Sequence, residues 1–264
     1  MLILLILIIL LISLKYAWWA PTKSFKYTRI MMYHMISDQL DTGKKTGLRV
    51  SESMFEKQIK WFKDNNWIFI KMSQLKEFED HEKVVAITFD DGYEDNYLKA
   101  LPILKKYEAC ATLYLVIKRH DNDWSVKKNP KHNTGVLSKE NKLSDSQISE
   151  MLDSEIFELG GHTITHPYLL NTPHDEKVKE IHGCKSKLEI KFNTKISSFA
   201  YPFGIYTKED KNIVKESDFD SAVTTNEGIV NLNQIYELKR IKASGKDSFL
   251  EFKLRVLKGF KGFI

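Results

Sequence analysis

"KVVAITFDDGY", residues 83–93, opens as a nearly unbroken apolar run and closes on two carboxylates and a glycine. A strand buried on both faces reads as a continuous apolar stretch, so residues 83–89 predict a central strand of a parallel sheet. Neighbouring side chains on a strand point to opposite faces. Asp90 and Asp91 can therefore share one site only if the strand ends there and the backbone turns, and Gly92 permits such a turn. An Asp-Asp-Gly is by itself ordinary turn chemistry, so the rest of the chain has to decide what the pair does.

Outward from this strand the pattern alternates. Upstream, "RIMMYH" (29–34) reads as a strand and "DQLDTGKKTGL" as a polar loop. A helix follows from near Ser53, whose spacing to Glu56 fits a capping box and which carries Phe55, Ile59 and Phe62 on one face; "WIFI" (67–70) is a further strand. Downstream come a helix over 96–106, a strand over 111–117, a helix over 144–152, a strand over 156–159, a helix over 174–191, a strand over 196–201, a helix over 207–216 and a strand over 219–224. Repeated strand–helix units of this length predict an α/β fold with a parallel sheet closed, or nearly closed, into a barrel. The polar stretch 119–142 follows a strand, where loops of such folds build the active site.

With 264 residues, 42% of them hydrophobic, the chain holds one large domain. Forty basic against 35 acidic residues leave a net charge of +5, too small an excess to signal nucleic acid. Cys110 heads an apolar strand and Cys184 lies in a Lys-rich helix, so no structural disulfide is expected. Residues 2–14, "LILLILIILLISL", are apolar apart from Ser13; counting Trp18 and Trp19 the run reaches Ala20, about a transmembrane length. A signal peptide is the alternative, but no Lys or Arg precedes the run and "YAWWAPT" is a poor cleavage region. The division expected is an N-terminal transmembrane anchor or signal segment, 1–24, and a catalytic domain, 25–264. A membrane-anchored domain on the extracytoplasmic side is expected, although Lys15, Lys23, Lys26 and Arg29 all follow the span, against the positive-inside rule.

"ELGGHTITHPYL" (158–169) places His162 and His166 four residues apart where a strand exits into a loop or a first helical turn. Two imidazoles at this spacing can meet one cation. Joined to the two aspartates at the end of another strand, they make a ligand set of two His and one carboxylate with a carboxylate to spare.

"TFDDGY", "HTITHP" and "FAYPFG" (199–204) resemble, in order and spacing, three signature motifs of the polysaccharide deacetylase family, the NodB-homology carbohydrate esterases. The resemblance spans roughly residues 29–245. It implies a distorted (β/α) barrel that binds a divalent metal, usually zinc with cobalt or nickel as substitutes, and removes acetyl groups from N-acetylated sugars. Carried over, Asp91, His162 and His166 would bind the metal and Asp90 would act as general base. Tyr201, Pro202 and Phe203 would line the site, the Phe203 N–H helping to hold the oxyanion. Where many members carry an arginine that orients the base, this chain has Ala200, and where they carry tyrosine it has Phe203. Arg240 in "ELKRIKASG" is the candidate substitute.

"IMMYHMISD", "DSAVTTNEGIVN" and "LKRI" look like the subgroup that deacetylates poly-N-acetylglucosamine, which implies that His34 is the general acid. The expected activity is metal-dependent N-deacetylation of an acetylated exopolysaccharide or envelope glycan by a monomeric catalytic domain. Peptidoglycan, lipopolysaccharide or a lipid-linked precursor are alternative substrates, and an inactive glycan-binding relative is the alternative class. In "SFLEFKLRVLKGFKGFI" residues 249–257 read as a packed element and the last seven as a candidate lipid contact.

Overall fold

The computed structural model describes residues 2–38, 46–120 and 137–262. Most of the polar insertion expected to wall the site, 121–136, and residues 39–45 of the preceding polar loop lie outside the described residues.

Ten strands and seven α-helices follow one another along the described residues. They are α1 (Leu2–Tyr16), β1 (Arg29–Tyr33), β2 (Met35–Ile36), β3 (Arg49–Val50), α2 (Glu52–Asp64), β4 (Ile68–Ile70), β5 (Val84–Asp91), α3 (Leu101–Lys106) and β6 (Ala111–Leu115). Then come α4 (Asp145–Asp153), β7 (Phe157–Gly161), α5 (His174–Phe192), β8 (Ser198–Ala200), α6 (Lys208–Glu216), β9 (Ser221–Glu227), β10 (Leu238–Lys242) and α7 (Phe249–Lys258). Strands β1, β10, β9, β8, β7, β6 and β5 pair in that order, all parallel, and β1 pairs again with β5, so a seven-stranded barrel closes among the described residues. Short β4 joins it at the foot, where Ile68 to Ile70 pair with Val84 to Ala86.

The closed barrel agrees with the alternation read from the sequence. Its strand β5 is buried throughout, as a continuous apolar run requires. Val85, Ile87 and Phe89 face the helices, in one core with Phe55, Ile59 and Phe62 of α2. Val84 and Ala86 face the barrel interior with Ile30, Tyr114, Ala200, Val223 and Leu238. Strand β10, which closes the ring, was no part of the sequence expectation. Helix α2 starts earlier than expected, because Ser51 and not Ser53 accepts the Met54 N–H, at 3.3 Å. Ser144, Thr207 and Ser248 each cap a helix with a reciprocal capping box.

The N-terminal run is corrected in length. Helix α1 has 15 residues, about 22 Å of rise against the ~30 Å of a bilayer's hydrocarbon. No helix among the described residues is long and apolar enough to cross a membrane. The helix stops because Ala17 turns left-handed (φ 41°) and is buried, its carbonyl held by the Lys258 ammonium at the end of α7. Trp18 and Trp19 therefore fall outside the helix. Helix α7 is the packed element expected at the C-terminus, with Phe252 and Val256 buried.

Candidate metal centre and catalytic site

The two aspartates that end β5 do share a site, by a device the pleat alone does not supply. Asp90 points into the barrel with Val84 and Ala86. Asp91 would point outward, but its backbone is left-handed (φ 81°) while it still pairs with Leu115. That turn brings its carboxylate round to the strand ends. Gly92 continues the turn at φ 87°, and a Cβ there would lie 2.6 Å from Leu115 Cδ1.

His162 and His166 arrive from the end of β7. Their Nε2 atoms lie 3.4 Å and 3.6 Å from Asp91 Oδ1, and all three side chains are buried. The ligating atoms lie within 4.8 Å of one another, which suits a single cation. His162 Nδ1 is 2.7 Å from the Ala200 carbonyl; donating its proton there leaves Nε2 as the lone-pair nitrogen facing Asp91. One carboxylate and two imidazoles, one of them oriented from behind, fit a divalent metal of the zinc type.

The loop that carries the two histidines is strained, since Thr163 (φ 67°) and His166 (φ 58°) are both left-handed non-glycine residues. Glu180 on α5 holds it. One carboxylate oxygen accepts the Ile164 and Thr165 N–H groups at 2.8 and 2.9 Å, and the other accepts the Thr165 hydroxyl at 2.7 Å. Nothing in the helical segment 174–191 marks Glu180, because its partners are two backbone N–H groups and one hydroxyl 15 and 16 residues away.

Asp90 sits beside the triad and is held by Arg240 from β10. The guanidinium donates to both carboxylate oxygens, at 2.7 and 2.6 Å, and also to Thr88 Oγ1 and the Thr224 carbonyl. Both side chains are buried. The Tyr114 ring lies 5.7 Å from the Arg240 carbon Cζ. It fits there because residue 160 is glycine: a Cβ would stand 2.4 Å from the ring. Ala200 joins this interior layer as a small residue beside Tyr114.

Burial alone would raise the carboxyl of Asp90, but the fork of Arg240 outweighs it and holds Asp90 below the ordinary carboxylate range. Asp91 is likewise held low against burial by His162 and the other histidines. In His166 burial, reinforced by neighbouring His162, lowers the imidazole to about 3, so its neutral, ligating form prevails. His34, just past β1, places Nε2 4.0 Å from Asp90 Oδ2 and keeps its side chain partly open to solvent. Burial lowers it, opposed by Asp91 and Asp90. Asn96 donates to the His34 carbonyl at 2.9 Å and fixes that turn.

The last expected group divides. Phe203 adopts φ 58° and lays its ring 4.4 Å from that of His166, so it borders the triad. Pro202 is buried in the same turn. Tyr201 points elsewhere: its ring stacks on Tyr206 at 4.4 Å, its hydroxyl donates to the Tyr236 carbonyl, and it belongs to the outer core.

A family model described as polysaccharide deacetylase matches residues 78–222. The candidate polysaccharide deacetylase YxkH of Bacillus subtilis is 30% identical over 232 residues, 86% of this chain and 75% of that protein. A Staphylococcus aureus poly-beta-1,6-N-acetyl-D-glucosamine N-deacetylase is 26% identical over 224 residues, 80% of this chain and 72% of that one. Among solved structures, the Streptococcus pyogenes deacetylase PplD, in complex with acetate, superposes with a TM-score of 0.73 at 29% identity, over 88% of this chain and 98% of PplD.

Proposed function

Because the chain belongs to the polysaccharide deacetylase family, we propose that it hydrolyses the N-acetyl group of N-acetylglucosamine-type residues in an exopolysaccharide or envelope glycan, releasing acetate. The observation that carries this reading is a buried carboxylate, Asp90, clamped by Arg240 next to a cluster of Asp91, His162 and His166. A divalent metal held by that cluster, zinc by its donor set and cobalt or nickel as substitutes, would polarise the acetyl carbonyl and acidify water at neutral pH.

The chain's own groups supply the remainder. Asp90, ionised and locked by Arg240, takes the proton of the attacking water. His34, on the same rim and within 4.0 Å of Asp90, gives a proton to the departing amine. The Phe203 N–H, in the turn beside His166, would support the developing oxyanion. The acetate bound to PplD and the polymer named for the S. aureus relative support this substrate class.

The test is acetate release from a panel of acetylated glycans, including a β-1,6-linked N-acetylglucosamine polymer, with metal-free and metal-restored protein. Activity should need the metal and vanish in His162→Ala together with bound metal. Asp90→Asn should keep the metal and lose the activity. Hydrolysis at full rate without metal, or by Asp90→Asn, would overturn the assignment. An inactive glycan-binding relative would need a broken site, and the clamped Asp90 argues for an intact one.

A further inference from the structure

Lys242 ends β10 two residues beyond Arg240 and on the same face of the strand, so its side chain rises from the barrel interior into the mouth, above the clamp on Asp90. Its register partner on β1 is Met32, and the Ala243 N–H donates to the Met32 carbonyl at 3.0 Å, so the ladder holds up to the rim. Register partners of a parallel pair stand side by side. His34 follows Met32 by two residues, again on the inward face, which sets Lys242 next to it. The His34 imidazole is lowered first by burial and then also by the charges of Arg240 and Lys242. The lysine tip lies along Gly47, where a Cβ would stand 3.4 Å from Nζ and 3.5 Å from Cε, and the side chain is exposed.

Other charges near the mouth are matched within the protein. Arg240 is spent on Asp90, and Arg49 pairs with Glu140. Lys142 donates to the carbonyls of Leu137 and Glu140, both at 2.9 Å. Asp247, in the turn after β10, is taken by Arg255 at 2.7 Å and Lys261 at 3.3 Å. Among the described residues no carboxylate forms an ion pair with Lys242. A lysine that serves only solvation stands on the outward face of a strand, as Lys239 does. Lys242 instead puts an unmatched positive charge inside the mouth, on the side from which His34 reaches the departing amine.

Hydrolysis turns a neutral acetamide into acetate and an amine: the C–N bond breaks, water supplies the new C–O bond, and the amine takes its proton from His34 and becomes a cation. A fixed ammonium beside His34 is indifferent to the neutral substrate and repels the charged product. Between two like charges a few ångströms apart in a half-open mouth, that repulsion is worth about tenfold in affinity. We infer that Lys242 sets the charge preference of the site: it admits acetylated, neutral sugar and turns away sugar that already bears an ammonium group, whether the unit just processed or its neighbour. The preferred substrate is then a stretch of glycan still acetylated, and the deacetylated product inhibits only weakly; this rests on the deacetylase reading above.

The experiment uses the full chain, metal-restored, and two β-1,6-linked N-acetylglucosamine oligomers of equal length, one fully acetylated and one with every second unit already deacetylated. The quantity read is the ratio of kcat/KM on the two, per acetyl group. The parent should prefer the fully acetylated oligomer. Lys242→Gln should cut that preference about tenfold, Lys242→Glu should cut it further, and Lys242→Arg should keep it. High salt should narrow the preference of the parent more than that of Lys242→Gln. Binding of the fully deacetylated oligomer, which is no substrate, is measured by calorimetry and should tighten about tenfold in Lys242→Gln. An unchanged ratio in Lys242→Gln, equal loss of activity on both oligomers, or a Lys242→Arg variant that behaves as Lys242→Gln would overturn the inference. No acetate from either oligomer would overturn the deacetylase reading instead, and the calorimetric series would still decide whether Lys242 selects by charge.

Discussion

Arg240 and Asp90, 150 residues apart, form a two-pronged ion pair inside the barrel, with the guanidinium nitrogens 2.7 and 2.6 Å from the carboxylate oxygens. Tyr114, admitted by Gly160, backs the guanidinium, and Thr88 and Thr224 accept two more of its N–H groups. A fork of this kind fixes the direction of the carboxylate as well as its charge.

Arg240→Lys is expected to lower turnover by about a hundredfold, since one ammonium cannot hold both oxygens and small misplacements of a base are costly. Bound metal should be unchanged, because Arg240 touches none of the triad. The carboxyl of Asp90 is held low by the guanidinium, so weakening that hold raises it. The acid limb of the kcat/KM profile should then move to higher pH. A profile and rate equal to the parent's would show that the pair is structural only.

Glu180 makes a second prediction. It satisfies two backbone N–H groups of a loop with two left-handed residues, so Glu180→Ala should let the His162–His166 segment relax. Metal affinity, measured by competition with a chromophoric chelator, should fall roughly 10–100-fold, as for other supports behind metal ligands. Glu180→Gln keeps an acceptor oxygen and should recover part of the loss. A fall in melting temperature with unaltered metal affinity would confine Glu180 to folding.

Glu180 marks the limit of what is legible in the sequence, whereas Arg240 is legible as a candidate partner of the base and the structure seats it on Asp90. The alternation of apolar strands and helices gave the barrel, because each unit states its own period, and the aspartate pair and histidine pair gave the metal cluster, because each is compact in sequence. Strand β10 escaped, since "LKRIK" puts an arginine at an inward position that makes sense only beside Asp90. Glu180 escaped for the same reason, its partners being backbone amides in another element. The turn at Gly92 is legible and stands at φ 87°, but the left-handed Asp91 before it is not, because a left-handed aspartate has no sequence signature. Tyr201 was grouped with the site by its neighbours in the motif, whereas strand alternation sends its ring to the outer core with Phe199.

The third prediction concerns pH and stability at Asp95, which receives the Ile36 N–H and the Asn96 side chain near the rim. Burial raises its carboxyl to about 6. The folded protein therefore keeps a proton on Asp95 that the unfolded chain has released. The stability contributed by the neutral form is complete below about pH 4 and is lost as pH rises through about 6. Asp95→Asn should remove this slope and raise stability at pH 7–8 by up to about 2 kcal/mol, read from urea midpoints at pH 4, 6 and 8. A difference between parent and variant that stays constant across the three pH values would exclude the mechanism.

The final prediction falls on His34. Cleaving an amide requires a proton for the departing amine, and His162 and His166 face Asp91, where they would hold a metal. His34 has a partly open side chain on the same rim, 4.0 Å from Asp90, and its backbone is fixed by Asn96. An imidazole acting as an acid must be protonated, so activity should decline as pH rises through its titration, which burial sets below the ordinary histidine value. His34→Gln should keep metal and fold, lower kcat by about a hundredfold or more, and erase that basic limb while leaving the acid limb of Asp90 in place. Should the basic limb persist with kcat unchanged, the proton comes from another group and His34 serves only to shape the rim.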